Sequence, residues 1–289
     1  MALAILGPLE VHVGEQAVPI GAMQLRRFVA LLLLAEGRPV SSSVLVESLW
    51  PEPGAPGADA LPKDTAATLR TYASRLRKLL PERVGPFGNS RGYHLDLTSE
   101  LVDAGQFETL LASAAAALPD EPDRALAELR TALAMWRGPA LADFRDEDWA
   151  TGHVVRLDEL HLAAIERLAD ARLALGQHLE LTGELESLVA EHPYRERFWA
   201  QLMLANYRAG RQADALRAYQ RLREGLVDGL GVEPSRELVD LEAAILRQDP
   251  VLERVEAAVG VGARKAGRRG SAARGTTGSA ASLGLGSRT

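Results

Sequence analysis

The chain has 289 residues, 47% of them hydrophobic, and a formal net charge of −6, which suits two globular domains and a tail. The absence of cysteine excludes a disulfide framework and thiolate metal sites. The longest apolar run, residues 28–35, is too short to cross a membrane, so we expect a cytoplasmic protein without membrane partners.

Charge is distributed unevenly along the sequence. Residues 1–98 hold ten Lys and Arg against nine Asp and Glu, whereas residues 99–250 hold sixteen against twenty-eight. Residues 251–289 hold seven against two. The acidity therefore belongs to the middle segment and does not argue against a nucleic-acid partner at the N-terminal end.

A small sheet and a helix are predicted first. Leu3–Val13 alternates weakly around a Gly-Pro turn, and Val18–Ile20 indicates a third short strand. Gln24–Leu34 has the apolar pattern of a helix. Its exposed start carries Arg26 and Arg27, which we interpret as candidates for contacts with DNA phosphates.

A second helix and an irregular loop follow. Ser41–Ser43 offers N-cap residues for the helix that continues through Trp50. Pro51–Pro62 cannot be regular structure, because it contains four prolines and two glycines in twelve residues. The loop therefore separates the second helix from the next one.

The stretch Lys63–Leu80 is the most informative of the chain. Its apolar residues fall on one helical stripe, at Ala66, Leu69, Ala73, Leu76 and Leu80. The remaining faces carry cations, hydroxyls and one aromatic ring, at Lys63, Thr68, Arg70, Thr71, Tyr72, Ser74, Arg75, Arg77 and Lys78. Cations that contact phosphates, beside side chains that reach base edges, are typical of a helix that lies in a DNA major groove. An ordinary amphipathic surface helix is the alternative.

A hairpin is predicted after this helix, in Val84–Leu97, with a glycine-rich tip. Gly88–Gly92 matches GxSxG, the nucleophile elbow of α/β hydrolases. That elbow requires a helix after the serine, but a strand-like segment follows here, so a hairpin tip is the better interpretation. The histidines show no metal-ligand spacing and no nucleotide-binding loop occurs, so we expect no catalytic residues, cofactor or metal.

Residues 101–250 are predicted to be helical throughout. A period of 34 residues, with Trp199 at the aromatic position, indicates tetratricopeptide-like helix pairs. The acidic cluster Asp143–Asp148 is interpreted as a solvated turn. Beyond Val261 the composition predicts disorder, and the basic residues there either add phosphate contacts or only keep the tail soluble.

The order of sheet, two helices, loop, basic helix and hairpin is that of an OmpR-type winged helix. Ser74–Lys78, Tyr72 and Gly92-Tyr93 resemble the recognition helix and wing of that group. The chain from about Leu3 to Asp249 resembles the SARP family of antibiotic regulators. The segments that carry this resemblance are Leu6–Leu9, Leu49-Trp50, Thr68–Leu80, Trp136–Phe144, Val189–Glu224 and Leu230–Leu246.

The resemblance implies a mainly α protein with three parts. Residues 1–98 would be the winged-helix DNA-binding domain, residues 99–250 a bacterial transcriptional activation domain, and residues 251–289 a disordered basic tail. Asn89 stands where the family often has a basic residue, and Arg91 is the candidate substitute for this contact. With Tyr93, these residues would form the DNA contacts of the wing.

The implied function is that of a DNA-binding transcriptional activator of an antibiotic biosynthetic gene cluster. It would bind direct repeats in double-stranded DNA as a homodimer, recruit RNA polymerase holoenzyme and be associated with the nucleoid. Glu52 and Asp59 in the proline-rich loop would face the polymerase. Two alternatives stay open: a helical-repeat interaction module with a structural winged helix, and a regulator that binds a small molecule on the concave repeat surface.

Overall fold

A three-stranded antiparallel sheet begins the chain in the computed structural model, which describes residues 2–14, 16–51, 60–97 and 102–253. Its strands are β1 (Ala2–Ala4), β2 (Glu10–Val13) and β3 (Gln16–Ala17), in that spatial order. The predicted third strand, Val18–Ile20, is wrong by a few residues. The strand begins earlier because the glycine turn at position 14 places Gln16 opposite Val13, and Val18 still donates a backbone hydrogen bond to the Val11 carbonyl at 2.7 Å.

Three helices follow the sheet: α1 (Met23–Leu34), α2 (Ser42–Leu49) and α3 (Thr65–Leu79). The α2 N-terminus is capped by the Ser41 hydroxyl, which accepts a hydrogen bond from the Val44 N–H at 3.3 Å. Asp64 caps α3 in the same way through the Ala67 N–H at 2.8 Å. The predicted basic helix is confirmed, and its proline-rich approach, residues 52–59 with Glu52 and Asp59, lies outside the described residues.

A two-stranded hairpin, β4 (Phe87–Asn89) and β5 (Gly92–His94), follows α3. The hairpin is held against the start of α2, because Val40 and Tyr93 exchange both backbone hydrogen bonds at 2.8 and 3.0 Å. Gly92 has a φ of +130° and packs so closely on Val40 that a Cβ atom would overlap its carbonyl. The GxSxG stretch is therefore a hairpin turn, as the sequence predicted.

The rest of the described chain is helical. Its helices are α4 (Asp103–Ala117), α5 (Pro122–Leu133), α6 (Asp148–Ala174), α7 (His178–Glu191), α8 (Glu196–Arg208), α9 (Gln212–Leu230) and α10 (Arg236–Leu246), followed by a 3₁₀ turn, Pro250–Glu253. Consecutive helices pack against each other in pairs, as in tetratricopeptide-like repeats. Trp199, Leu202, Ala215 and Tyr219 are buried in one core, which confirms the predicted packing seam.

Two hydrophobic cores hold these elements together. The first contains the sheet, α1 to α3 and the inner faces of α4 to α6, and the second is formed by α6 to α10. The first core therefore runs across residue 98, and residues 1–257 form one compact unit. None of the helices in the described ranges has the length and apolar character needed to cross a membrane.

Candidate nucleic-acid interface

One face of α3 is exposed while the other is buried. Leu69, Ala73 and Leu76 are at most 1% exposed and anchor the helix on the first core. Ala66, predicted in the same stripe, is exposed, because the buried face of α3 begins only at Leu69. The exposed predicted site residues are Lys63, Arg70, Thr71, Ser74, Arg75, Arg77 and Lys78, and Thr68 is half-buried.

The cations of this region have no carboxylate partners among the described residues. Residues 60–97 contain seven Lys and Arg against three Asp and Glu. The arginines of the repeat half are different, because most of them form ion pairs: Arg124, Arg137, Arg145, Arg156, Arg172, Arg195, Arg197, Arg217, Arg221, Arg223 and Arg236. The positive charge of α3 and the hairpin is therefore not neutralised by neighbouring carboxylates, whereas most of the positive charge of the repeats is.

The polar groups of α3 are partly committed within the helix. The hydroxyls of Thr68 and Thr71 donate to the carbonyls of Asp64 and Ala67, both at 2.9 Å, so they can only accept further hydrogen bonds. Arg77 donates through Nε to the Pro86 carbonyl at 2.9 Å, which fixes the helix to the base of the hairpin. Arg70, Arg75 and Lys78 of this face form no side-chain hydrogen bond or ion pair with the described residues, so their donors are available to a ligand.

Two tyrosines assigned to the DNA surface are half-buried. The Tyr72 ring stacks on Trp50 at 6.2 Å and lies 6.0 Å from Phe28. Tyr93 meets the same Phe28 edge-on at 5.8 Å. Because both rings pack on the first core, they support α3 and the hairpin from the buried side, and the interpretation of Tyr72 as part of the exposed face of the helix is corrected.

The hairpin tip is exposed, and the side chain of Asn89 closes its turn. The Asn89 side-chain oxygen accepts a hydrogen bond from the Arg91 N–H at 2.8 Å. This contact gives Asn89 a turn-forming role. Arg91 carries the only positive charge of the tip, and its side chain has no carboxylate partner among the described residues.

The predicted phosphate contacts of Arg26 and Arg27 are wrong. Arg26 donates to the Leu9 carbonyl at 3.0 Å and pairs with Asp143. The Arg27 side chain is only 8% exposed and donates from Nε to both Glu147 oxygens at 2.7 and 2.9 Å. The acidic cluster of residues 143–148 is therefore not a simple solvated turn, because two of its carboxylates form ion pairs with the two arginines of α1.

The contact between the two halves of the chain was not predicted. The N–H groups of Arg137 and Leu141 donate to the carbonyls of Leu6 and Ile5, both at 2.9 Å. Asp103 accepts from the N–H groups of Ile5 and Leu6 at 2.8 and 3.0 Å. Burial raises the pKa of Asp103 above its usual range, against the opposing effect of these hydrogen bonds. Two sequence motifs, residues 6–9 and 136–144, therefore bind each other.

Comparison with known proteins gives consistent matches. The family described as "Bacterial transcriptional activator domain" matches residues 102–246. Transcriptional regulator RedD of Streptomyces coelicolor is 39% identical over 256 residues, covering 86% of this chain and 71% of RedD. Regulatory protein DnrI of Streptomyces peucetius is 37% identical, covering 88% of this chain and 95% of DnrI.

A solved structure is also similar. EmbR of Mycobacterium tuberculosis, in complex with a low affinity phosphopeptide, matches with a TM-score of 0.79 and 34% identity, covering 87% of this chain and 68% of that chain. In sequence comparison EmbR is 36% identical, and this chain spans 63% of its length. The similarity therefore includes the fold of the N-terminal half as well as that of the repeats.

Proposed function

The chain belongs to the SARP family of bacterial transcriptional regulators, and we propose that it binds its DNA through α3 and the β4–β5 hairpin. One observation carries this proposal. The cations of residues 60–97 lack carboxylate partners among the described residues, whereas most arginines of the repeats are paired. Unpaired cations on one exposed helix can contact phosphates without first breaking an internal ion pair.

We assign separate roles to the exposed side chains. Arg75 lies at the centre of the free face of α3 and is the candidate for contact with a guanine edge. Lys63, Arg70, Arg77 and Lys78 surround it and would position the helix on phosphates. Arg91 at the hairpin tip would contact the neighbouring backbone or minor groove.

We further propose that two copies bind direct repeats in double-stranded DNA near a promoter and recruit RNA polymerase holoenzyme. Control of an antibiotic biosynthetic gene cluster, by a cytoplasmic protein bound to the nucleoid, is the role that the family resemblance supports. DNase footprinting on the genomic region upstream of the controlled cluster tests this. We expect protection of two repeats in one orientation, and protection of a single isolated site would contradict binding as a dimer.

The proline-rich loop leads to a prediction about activation. Replacing both Glu52 and Asp59 with alanine should lower transcript yield in vitro severalfold and leave the footprint unchanged, because the resemblance to OmpR-type proteins implies that this loop faces the polymerase. Run-off transcription and footprinting measure the two effects separately.

The matched control is the pair Glu82→Ala and Asp96→Ala. Both residues are exposed, lie in the same half of the chain and carry the same charge. If this control lowers transcript yield equally, or if the loop variant loses its footprint in step with transcription, the loop is not a polymerase contact.

The basic tail leads to a prediction about salt dependence. Removal of the residues after Glu253 should weaken binding to operator and random DNA by a similar factor, because a basic segment of this composition adds only phosphate contacts, which do not depend on base sequence. The slope of log K against log salt should flatten by about 0.9 for each phosphate that the shortened protein no longer neutralises. The truncation must retain Pro250–Glu253, since Arg208 donates to the Leu252 carbonyl at 2.8 Å.

A second variant separates charge from length. It keeps the tail but replaces Arg264, Lys265, Arg268, Arg269 and Arg274 with serine, and it should reproduce the truncation. Loss of the preference for operator over random DNA would make the tail part of the base-reading surface. An unchanged slope would show that the tail takes no part in DNA binding.

A further inference from the structure

A cavity of about 580 Å³ lies between the DNA-binding half and the repeat half of the chain. Its floor is apolar and consists of Ile5, Leu33 of α1 and Leu157 of α6, each at most 3% exposed. This volume is in the range of pockets that bind small molecules. The cavity does not lie on the repeat surface where the sequence analysis placed a possible ligand.

The rim of the cavity carries three charged side chains. Arg156 lies 3.0 Å from a Glu108 oxygen and 3.7 Å from a Glu36 oxygen. One guanidinium is thus shared by two carboxylates, which leaves the rim with one excess negative charge. The Glu36 side chain is 68% exposed, so its carboxylate has free acceptor positions.

Two ionisable groups lie near the rim but outside the lining. His153 lies one turn before Arg156, and burial together with the charge of Arg156 lowers its pKa, which keeps it neutral near pH 7. Arg38 is a cation that also acts on His153; it is not part of the lining, and its Nε donates to the Ala35 carbonyl at 3.1 Å. The described lining therefore combines an apolar floor with an acidic rim.

We propose that this cavity binds a small apolar molecule that carries one protonated amine, with the ammonium group between Glu36 and Glu108. An ammonium group supplies the missing positive charge and up to three hydrogen-bond donors for carboxylates that Arg156 satisfies only in part. Glu36 follows α1 and Glu108 belongs to α4, so the ligand contacts both halves of the chain. This inference does not depend on DNA binding.

Isothermal titration of the full chain with three probes of equal size tests the proposal. The probes are 1-naphthylmethylamine, 1-naphthalenemethanol and 1-naphthoic acid, which share the naphthalene ring and carry one substituent that is positive, neutral or negative near pH 7. We expect the amine to bind about fivefold more tightly than the alcohol, and the acid to bind most weakly. Equal or tighter binding of the acid, or no binding of the amine at millimolar concentration, would overturn the proposal.

Variants locate the site. Glu36→Gln and Glu108→Gln should each remove most of the advantage of the amine over the alcohol, while binding of the alcohol stays within twofold. Ala112→Trp, at an exposed position in the lining, should abolish binding of all three probes. Ala116→Trp is its matched control, exposed one turn further along α4 and outside the lining, and it should bind as wild type. Unchanged binding by Ala112→Trp would place the ligand elsewhere.

Discussion

Replacing Arg27 with alanine should lower the free energy of unfolding by about 3–5 kcal/mol. The Arg27 side chain is 8% exposed and its partner Glu147 is 15% exposed, so the substitution leaves a largely buried carboxylate without its guanidinium. Urea denaturation followed by circular dichroism measures the loss. Arg236→Ala is the control, because Arg236 and its partner Asp240 on α10 are both exposed, and its urea midpoint should not move.

The same variant distinguishes the structure from the sequence prediction for Arg27. Where Arg27→Ala is still folded, its affinity for operator DNA should equal that of the wild type. If the Arg27→Ala protein is as stable as the wild type but binds DNA more weakly, the result would support the phosphate contact that the sequence predicted and contradict the ion pair with Glu147.

Replacing Arg75 with alanine should weaken operator binding by about 1–3 kcal/mol and relax the preference at one base pair. The reason is that Arg75 is exposed at the centre of the free face of α3, opposite the buried Ala73 and Leu76. Fluorescence anisotropy with the operator and with each single-base variant measures both effects.

The matched control for this substitution is Arg130→Ala. Arg130 is an exposed arginine of α5 and, among the described residues, it forms no ion pair. The control removes the same charge far from α3 along the chain, so it should change the affinity for operator and random DNA little and equally. If both variants weaken binding alike and neither alters base preference, α3 does not read the sequence.

Local patterns predicted most of the fold. The buried positions Leu69, Ala73 and Leu76 repeat at helical spacing, and Ser41 is a good N-cap residue, so α2 and α3 could be placed within about two residues. The GxSxG stretch was assigned correctly to a hairpin because a strand-like segment follows it. These features depend on residues that are neighbours in the sequence.

Long-range contacts account for what the sequence could not predict. Arg26 pairs with Asp143 and Arg27 with Glu147, partners more than one hundred residues away. No local pattern distinguishes an arginine that pairs across such a distance from one that is free for phosphate. Tyr72 and Tyr93 are similar cases, because their common neighbour Phe28 lies on a different helix.

The central claim is that α3 lies in the major groove of the operator, and a cleavage experiment tests it directly. The chain contains no cysteine, so Ser74→Cys on the exposed face of α3 can be labelled uniquely with an iron–EDTA reagent. We predict DNA strand cleavage inside each footprinted repeat, and the cleavage sites on the two strands should be offset as expected for a reagent held in the major groove. A label at Ala116→Cys in the repeat half should give no cleavage. Operator-bound protein that cleaves from position 116 but not from position 74 would contradict this placement of α3.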